Sequence, residues 1–257
     1  MKSTSGFRGP SLILLATVHI LLFVAGLVAA ATLRHGAPYV TPFAPAEKLL
    51  SFLAQSPTAV RVSNFFLFAS AVPFGIFAVT TVSRLRFLGV RAAGTNIALL
   101  GGLIATIALI LSGSAGWILS VPDVSASAPV VKAFVFLNFL FGGVVFAVGF
   151  GLLAAGVSVT SYFMRLLPRW MVVLGMIVAI AGELSSFSLI AFPANFFIPI
   201  TRYLGVIWMV SVAVALTRDT LTIPSPFPKW ESPKNKSEIS GVFLRPEKHH
   251  AIHHKSP

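Results

Sequence analysis

The sequence predicts an all-α integral membrane protein: a bundle of six transmembrane helices followed by a disordered basic tail. The chain of 257 residues is 56% hydrophobic and only 10% charged, with a mean hydropathy of +0.90. Soluble domains carry about a quarter charged residues, so most of this surface must face lipid. Six mostly apolar runs are long enough, or nearly so, to cross the roughly 30 Å of hydrocarbon in a bilayer.

The six runs follow one another without room for a soluble domain between them. The third and fourth exceed the about 20 residues that a span needs, so we expect them to tilt or to project beyond the lipid. The sixth is the shortest, and it is bounded by Pro199 and Arg218. The predicted spans are 11–33, 62–82, 92–119, 130–159, 170–192 and 199–216.

The first run also has features of a secretory signal peptide: a basic start, an apolar centre and the small-residue sequence VAAAT. Its apolar core, from Leu12 to Ala31, is longer than the usual length of about 7–15 residues. This length favours a retained first span. Cleavage would leave five spans without changing the orientation of the others.

The segment between the first two runs contains a short helix of its own. Pro45 suits the first turn of a helix, Glu47 favours a helix N-terminus, and Pro57 ends the run. Such a helix lies along the membrane surface or packs as a lid over the bundle, and the sequence leaves both alternatives open. Its apolar strip consists of Leu49, Leu50, Phe52 and Leu53.

The distribution of cations orients the six spans. In a six-span arrangement the most basic connections share one side, and the positive-inside rule predicts that this side is cytoplasmic. We therefore expect a multi-pass protein of a prokaryotic plasma membrane with both termini inside. The cations on this side are Lys2, Arg8, Arg84, Arg86, Arg91, Arg165 and Arg169, together with those of the tail.

The cations at the ends of the spans and in the tail also account for the net charge of +12 and the isoelectric point near 11. In a soluble protein such a charge would indicate a nucleic-acid partner. Here the cations lie at the ends of apolar runs, so we expect a lipid bilayer and no nucleic acid as partner. The chain has no cysteine, which excludes disulfides, thiolate metal sites and a cysteine nucleophile.

The tail, residues 218–257, is rich in Pro, Ser and Lys and is predicted to be a disordered cytoplasmic segment, because it cannot bury a core. Its sequence HHAIHH places histidines four residues apart, a spacing that on a helix offers metal-binding pairs. We expect solvated tail sequence instead, because a disordered chain fixes no further ligand nearby. The histidines are His249, His250, His253 and His254.

Small residues at a four-residue spacing predict that the third and fourth spans pack together. Helices in lipid associate through small side chains that let their backbones approach closely. The stripe in the fourth span also fits a homodimer, and packing within the chain is the simpler account. The stripes are Ala108, Ser112 and Gly116 in the third span and Gly143, Ala147, Gly151 and Ala155 in the fourth.

Glu183 is the one carboxylate inside a predicted span. It lies thirteen residues after Trp170 and nine before Phe192, and therefore near mid-membrane if the helix is continuous. A charge at that depth costs about 3 kcal/mol or more, so we expect it to face the bundle or a wet cavity. Ser186 would share its helix face, with Ser185 beside it. The carboxylate either handles protons or cations, or fixes packing through a hydrogen bond or ion pair.

Few residues are available as partners of Glu183. Arg202 lies early in the sixth span, where contact is marginal, and His19 in the first span would accept or donate a proton. Asn138 in the fourth span would hydrogen-bond across helices. His19 is the only histidine in any predicted span, so haem held by two histidines is not expected, and we expect no cofactor.

Three cations begin spans on the side opposite the basic one: Arg61, Lys132 and Arg202. Together they would form a shallow site for an anionic ligand or a lipid headgroup. Alternatively, the position of each cation is explained separately, because its long side chain can reach the membrane–water interface.

The segment RLLPRWMVVLGMIVAIAG, residues 165–182, resembles a bacterial membrane family. In this DUF4386-type family of multi-spanning proteins of unknown function, a similar segment leads into a late transmembrane helix. The matching positions are Leu167, Pro168, Arg169 and Trp170, followed by Gly175. The resemblance implies a multi-spanning fold and no particular activity. The same four residues have a physical role, because Pro168 starts a helix and Trp170 suits the membrane interface.

No catalytic signature is present: the sequence has no Walker loop, no G-x-S-x-G and no H-E-x-x-H. Acids are too scarce for paired-carboxylate hydrolysis. We expect a non-enzymatic structural or accessory subunit of a membrane assembly, whose partners are other membrane-protein subunits or further copies of itself. The alternatives are a small ion- or proton-coupled transporter that uses Glu183 and, third, an enzyme acting on lipids.

Overall fold

A computed structural model of the chain describes residues 9–34, 36–38 and 40–217, and this part is helical without strands. A π-helical turn, Leu140–Val145, joins the sixth helix to the seventh, and two 3-10 turns, Ser186–Leu189 and Phe192–Phe196, lie between the last two helices. The helices are α1 (Leu12–Thr32), α2 (Ala46–Gln55), α3 (Pro57–Phe87), α4 (Ala93–Ile118), α5 (Pro122–Ser125), α6 (Ala128–Phe139), α7 (Phe146–Phe163), α8 (Arg169–Ser185) and α9 (Phe197–Thr217).

Six helical stretches within these residues are long and apolar enough to cross a membrane, which confirms the predicted fold class. The second stretch is Pro57–Phe87, longer than the predicted 62–82, and the fourth is Ala128–Phe163, which combines α6, the π turn and α7. The tail, 218–257, lies outside the described residues. So do the metal pairs considered there: His249, His250, His253 and His254.

The six spans form a closed ring. Each packs against the next in the order α1, α3, α4, α7, α8 and α9, and α9 returns to pack against α1. Large apolar side chains remain exposed around the outside of every span, as expected of helices surrounded by lipid. The ring therefore has an apolar outer surface and an inner surface that faces the other spans.

Aromatic side chains fill the centre of the ring. The ring of Phe150 lies 5.4 Å from that of Phe74 and 5.5 Å from that of Phe146. Trp208, from α9, packs against Phe150 at 6.1 Å and is fully buried. These side chains come from three different spans, so they hold the bundle together at its centre.

Glycines bring α4 and α7 into close contact, which confirms that the third and fourth spans are neighbours. A Cβ at Gly101 would lie 2.4 Å from the backbone nitrogen of Leu153, and one at Gly156 would lie 2.6 Å from that of Ala98. The backbones thus touch directly, as small residues allow in lipid.

The predicted stripe on the fourth span faces a different neighbour from the one expected. A Cβ at Gly151 would meet the carbonyl of Ala179 at 3.1 Å, and Gly182 packs against the same turn of α7. Gly143 faces Ile198 of α9. Three members of the stripe, Gly143, Ala147 and Gly151, therefore pack against the fifth and sixth spans, so the expectation that the stripe contacts the third is wrong.

The arginine-rich links lie at one end of the ring, here named the basic end. There the Arg84 Nε atom donates to the carbonyl of Leu216 at 3.1 Å, which joins the end of α3 to the end of α9. Ser11, the N-cap of α1, lines one small cavity with these two residues. The described chain thus begins and ends on the same side, as six crossings require.

Both links at the basic end begin with the same helix cap. Gly89 has a φ of 85° and Arg165 a φ of 53°, both in the left-handed region. In each link the next residue, Val90 or Leu166, donates back to the carbonyl of Leu85 or Ser161, a Schellman arrangement. Two links of different sequence therefore make the same tight reversal.

The helix α2 covers the opposite end, here named the α2 end. Its apolar strip is buried against the ends of the spans below it. The Lys132 Nζ atom also donates to the carbonyl of Ala44, 2.6 Å away, just before α2. These contacts favour the lid over a helix that lies on the membrane surface. The buried cluster consists of Leu49, Leu53, Val60, Leu119 and Val131.

Candidate functional site

A pocket of about 360 Å³, here named the α2 pocket, lies beneath α2. Its walls are mostly apolar and come from α1, α2, α3, α4 and α6. Small-molecule pockets combine such walls with a few well-placed polar groups. The polar side chains that line this pocket are those of Arg34, Ser63, Asn64 and Asn138.

Two asparagines form the polar end of the α2 pocket. The Asn138 Nδ2 atom donates to the carbonyl of Ser112 at 2.8 Å and to the Oδ1 atom of Asn64 at 3.2 Å. The Nδ2 atom of Asn64 donates to the carbonyl of Val60 at 2.8 Å. Because carbonyl oxygens only accept, these bonds fix the orientation of both amides. The predicted role of Asn138, a hydrogen bond across helices, is confirmed.

Gly116 makes room for this pair of asparagines. A Cβ there would lie 1.9 Å from the Oδ1 atom of Asn64 and 2.7 Å from the Nδ2 atom of Asn138. The third span therefore contacts the fourth here through Gly116 and Ser112, two members of its predicted stripe.

The π turn that follows Asn138 is fixed to two other spans. The Ser112 hydroxyl donates to the carbonyl of Asn138 at 3.0 Å, and the Arg202 guanidinium donates to the carbonyl of Gly142. A π turn departs from the regular helical pattern and is frequent at functional sites. Backbone carbonyls at membrane depth need such donors. The turn is thus tied to α4 and α9.

Arg202 points into the ring between aromatic side chains. Its guanidinium carbon lies 5.3 Å from the ring centre of Phe23 and 4.9 Å from that of Phe146. A cation over an aromatic face gains about 2 kcal/mol when both are desolvated. The Nε atom of Arg202 is buried and has no hydrogen-bond partner within the described residues. The arginine is therefore stabilised by rings and a carbonyl.

His19 joins α1 to α3 inside the bundle. Its Nδ1 atom lies 2.9 Å from the carbonyl of Ser70, and because that oxygen only accepts, Nδ1 carries the proton. The imidazole lies 5.1 Å from the ring of Phe74 and stacks on Phe23 at 6.4 Å. These are the contacts of a packing and hydrogen-bonding residue.

Glu183 lies on the outside of the bundle, so the expectation that it faces the interior or a wet cavity is wrong. It is exposed, whereas Ser185 is fully buried. α8 ends at Ser185, two residues after Glu183, so the fifth span is not one continuous α-helix to residue 192. Ser186 donates to the backbone carbonyl of Glu183 at 2.6 Å. The expected ion pair is not formed, since Arg202 contacts Gly142 instead.

The three cations of the predicted basic cluster make separate contacts. Arg61 donates to the hydroxyl and carbonyl of Ser120, between α4 and α5, both at 3.2 Å. Lys132 binds the loop before α2, and Arg202 binds the π turn. Each cation therefore links two segments of the chain.

The described residues contain three carboxylates, and all of them are exposed: Glu47, Asp123 and Glu183. The same part of the chain has no group of three or more His, Cys, Asp or Glu side chains that could hold a metal ion. Within it, the polar side chains of the interior are those of serine, threonine, asparagine, histidine and arginine.

No protein-family model matches the chain, no curated protein is similar to it, and no solved structure matches it. The resemblance to the DUF4386-type family therefore stays a prediction. The segment that carries it begins α8: Pro168 is the N-cap, Arg169 is the first helical residue, and Trp170 is exposed. The physical roles inferred for these residues agree with this geometry.

Proposed function

We propose that the protein is a non-enzymatic accessory subunit of a membrane assembly and that it binds another membrane protein through the lipid-facing side of α8. The observation that carries the proposal is the exposed position of Glu183. The partner contributes a basic or hydrogen-bond-donating side chain at the same depth.

The depth of Glu183 supports this proposal. It lies fourteen residues after Arg169, the first residue of α8, and therefore about 21 Å along the helix axis. With Arg169 at the basic-end interface, this distance is less than the roughly 30 Å of hydrocarbon. A lone charged carboxylate still carries a desolvation cost there, smaller than at the bilayer centre. A complementary group on a partner helix removes most of that cost.

The surroundings of Glu183 also suit a helix partner. Its helix neighbour Ile180 is 56% exposed, and beyond α8 Phe187 and Ile190 are exposed as well. Within the described residues the carboxylate has no basic partner of its own. An apolar face with one carboxylate in it would bind one transmembrane helix selectively, because apolar contact alone does not distinguish a protein from lipid.

Transport through Glu183 has less support. The carboxylate lies outside the ring, and aromatic side chains fill the centre of the ring.

We infer that the membrane is the plasma membrane, with the basic end in the cytoplasm, from the positive-inside rule.

Glu183→Gln is expected to weaken binding of the partner while leaving the isolated chain intact. A photo-crosslinking amino acid placed at Ile180 should capture one discrete membrane protein, and Glu183→Gln should reduce this product roughly tenfold. That factor corresponds to about 1.4 kcal/mol, within the range of a hydrogen bond to a charged group. Cross-linked products from membranes, identified by mass spectrometry, provide the measurement.

Two controls sharpen this test. Glu47→Gln neutralises an exposed carboxylate on α2 and should leave the product unchanged. The same cross-linker at Leu100, 55% exposed on α4, should capture no such protein. Capture that persists in Glu183→Gln would contradict the proposal. So would a product made of two differently tagged copies of this chain, because it would show self-association instead.

A further inference from the structure

We propose that the α2 pocket binds a neutral, membrane-dissolved molecule with an apolar body and a hydroxyl group. The pocket volume, about 360 Å³, lies at the small end of the range for small-molecule sites, about 300–1,000 Å³. Its walls contain Leu27, Leu53 and Val135, which suit an alkyl or ring system.

The polar end of the pocket selects a hydrogen-bond donor. The Nδ2 atom of Asn138 is held by Ser112 and Asn64. Within the described residues, no hydrogen bond reaches the Oδ1 atom of Asn138. The oxygen is not among the fully buried atoms that lack a partner, so it is accessible to a donor in the pocket. A ligand hydroxyl would supply the missing donor.

The charge of the lining excludes a cationic donor. Among the described residues that line the pocket, Arg34 is the one charged side chain and none is a carboxylate. A ligand amine would be protonated and would meet this arginine without a counter-charge. The donor is therefore a neutral group, and we take it to be a hydroxyl because that is the simplest neutral donor on an apolar body.

A second cavity opens to the lipid-facing side of the bundle beside the α2 pocket. This cavity, of about 380 Å³, lies between α3 and α4 and shares Asn64 with the α2 pocket. Phe65, Phe68 and Trp117 line this cavity and are exposed on the outside of the bundle. Gly113 also lines this cavity, where α3 and α4 approach each other closely. A molecule dissolved in the membrane would reach Asn64 without entering water.

The test uses two matched probes on the full chain in liposomes: a diazirine-bearing decanol and its methyl ether, which lacks the donor. Peptides of α2 and α6 should be labelled roughly three- to tenfold more by the alcohol, the preference that one hydrogen bond supplies. Unlabelled decanol should compete in a saturable manner. Equal labelling by both probes would overturn the proposal.

A filling variant localises the binding. Val135→Trp places a large side chain in the pocket and should abolish the alcohol-specific labelling. Val210→Trp, on the exposed face of α9, should leave it unchanged. Alcohol-specific labelling that persists in folded Val135→Trp would contradict the site. If that variant does not fold, the competition experiment with the unsubstituted protein still tests the proposal. Labelling that unlabelled decanol does not displace would contradict it.

Discussion

Trp208→Ala is expected to lower the free energy of unfolding of the isolated protein by about 3–5 kcal/mol, the range for removing a large buried aromatic side chain. Trp208 is fully buried at the centre of the ring, against Phe150 of α7 and beside Gly175 of α8. The midpoint of thermal unfolding in detergent, followed by circular dichroism, should fall by roughly 10–15 °C.

Two further variants test whether the expected loss of stability comes from the packing of Trp208 at the centre of the ring. The Nε1 atom of Trp208 is buried without a hydrogen-bond partner within the described residues, so Trp208→Phe, which keeps an aromatic ring, should cost much less than Trp208→Ala. Trp117 is 48% exposed, and Trp117→Ala should change the midpoint little. If Trp117→Ala and Trp208→Ala lowered the unfolding midpoint equally, this would contradict the conclusion that Trp208 packs at the centre of the ring.

Gly101→Ala is expected to destabilise the protein by about 3 kcal/mol, at the upper end of the usual range for overpacking. The new Cβ would lie 2.4 Å from the backbone nitrogen of Leu153 and 2.6 Å from the carbonyl of Gly149. Backbone atoms cannot move aside as a side chain does, so α4 and α7 must separate. The unfolding midpoint should fall by roughly 5–10 °C.

Gly143→Ala is the matched control for this substitution. The nearest atom to its new Cβ is the Cδ1 atom of Ile198, at 3.2 Å, the flexible end of a side chain. Alanine also favours a helix over glycine by roughly 0.5–1 kcal/mol, so Gly143→Ala should be neutral or stabilising. A midpoint for Gly101→Ala as high as that of Gly143→Ala would show that α4 and α7 are not in backbone contact.

The spans were predictable because length and hydropathy determine them almost alone. The third and fourth spans were correctly predicted to be neighbours, but the face through which they meet was not. The fourth span has small residues on two faces, with Gly143 and Gly151 on one and Gly149 and Gly156 on the other. A four-residue spacing identifies a face that permits close approach, but it does not identify the helix that approaches. The stripe was therefore assigned to the wrong partner.

The end of the fifth span was also predicted wrongly. The prediction assumed a continuous helix from 170 to 192, whereas α8 ends at Ser185 and continues as a 3-10 turn. There the hydroxyls of Ser185 and Ser186 donate to carbonyls three residues earlier, at 2.6 Å each. Such local bonds compete with the helix, and adjacent serines before a proline in the sequence were the available signal.

Only part of the polar interior followed from the sequence. Asn138 was identified because an amide within an apolar run needs a partner, and the same argument applies to Asn64, which was missed. The aromatic partners of Arg202 had no such signal, because phenylalanine is common throughout the chain. Phe23 contacts Arg202 because the ring closes between α9 and α1, and Phe146 contacts it because α7 also packs against α9.

The most direct test of the six-span arrangement is the labelling of single cysteines in intact cells with a membrane-impermeant maleimide. The chain has no cysteine of its own, so each variant reports one position. Exposed residues exist at both ends: Ala92 and Met164 in the basic-end links, Ala54 and Ala126 at the α2 end. Ala54→Cys and Ala126→Cys should be labelled, whereas Ala92→Cys and Met164→Cys should react only after the membrane is permeabilised. Labelling at Ala92→Cys or Met164→Cys in intact cells would contradict the arrangement.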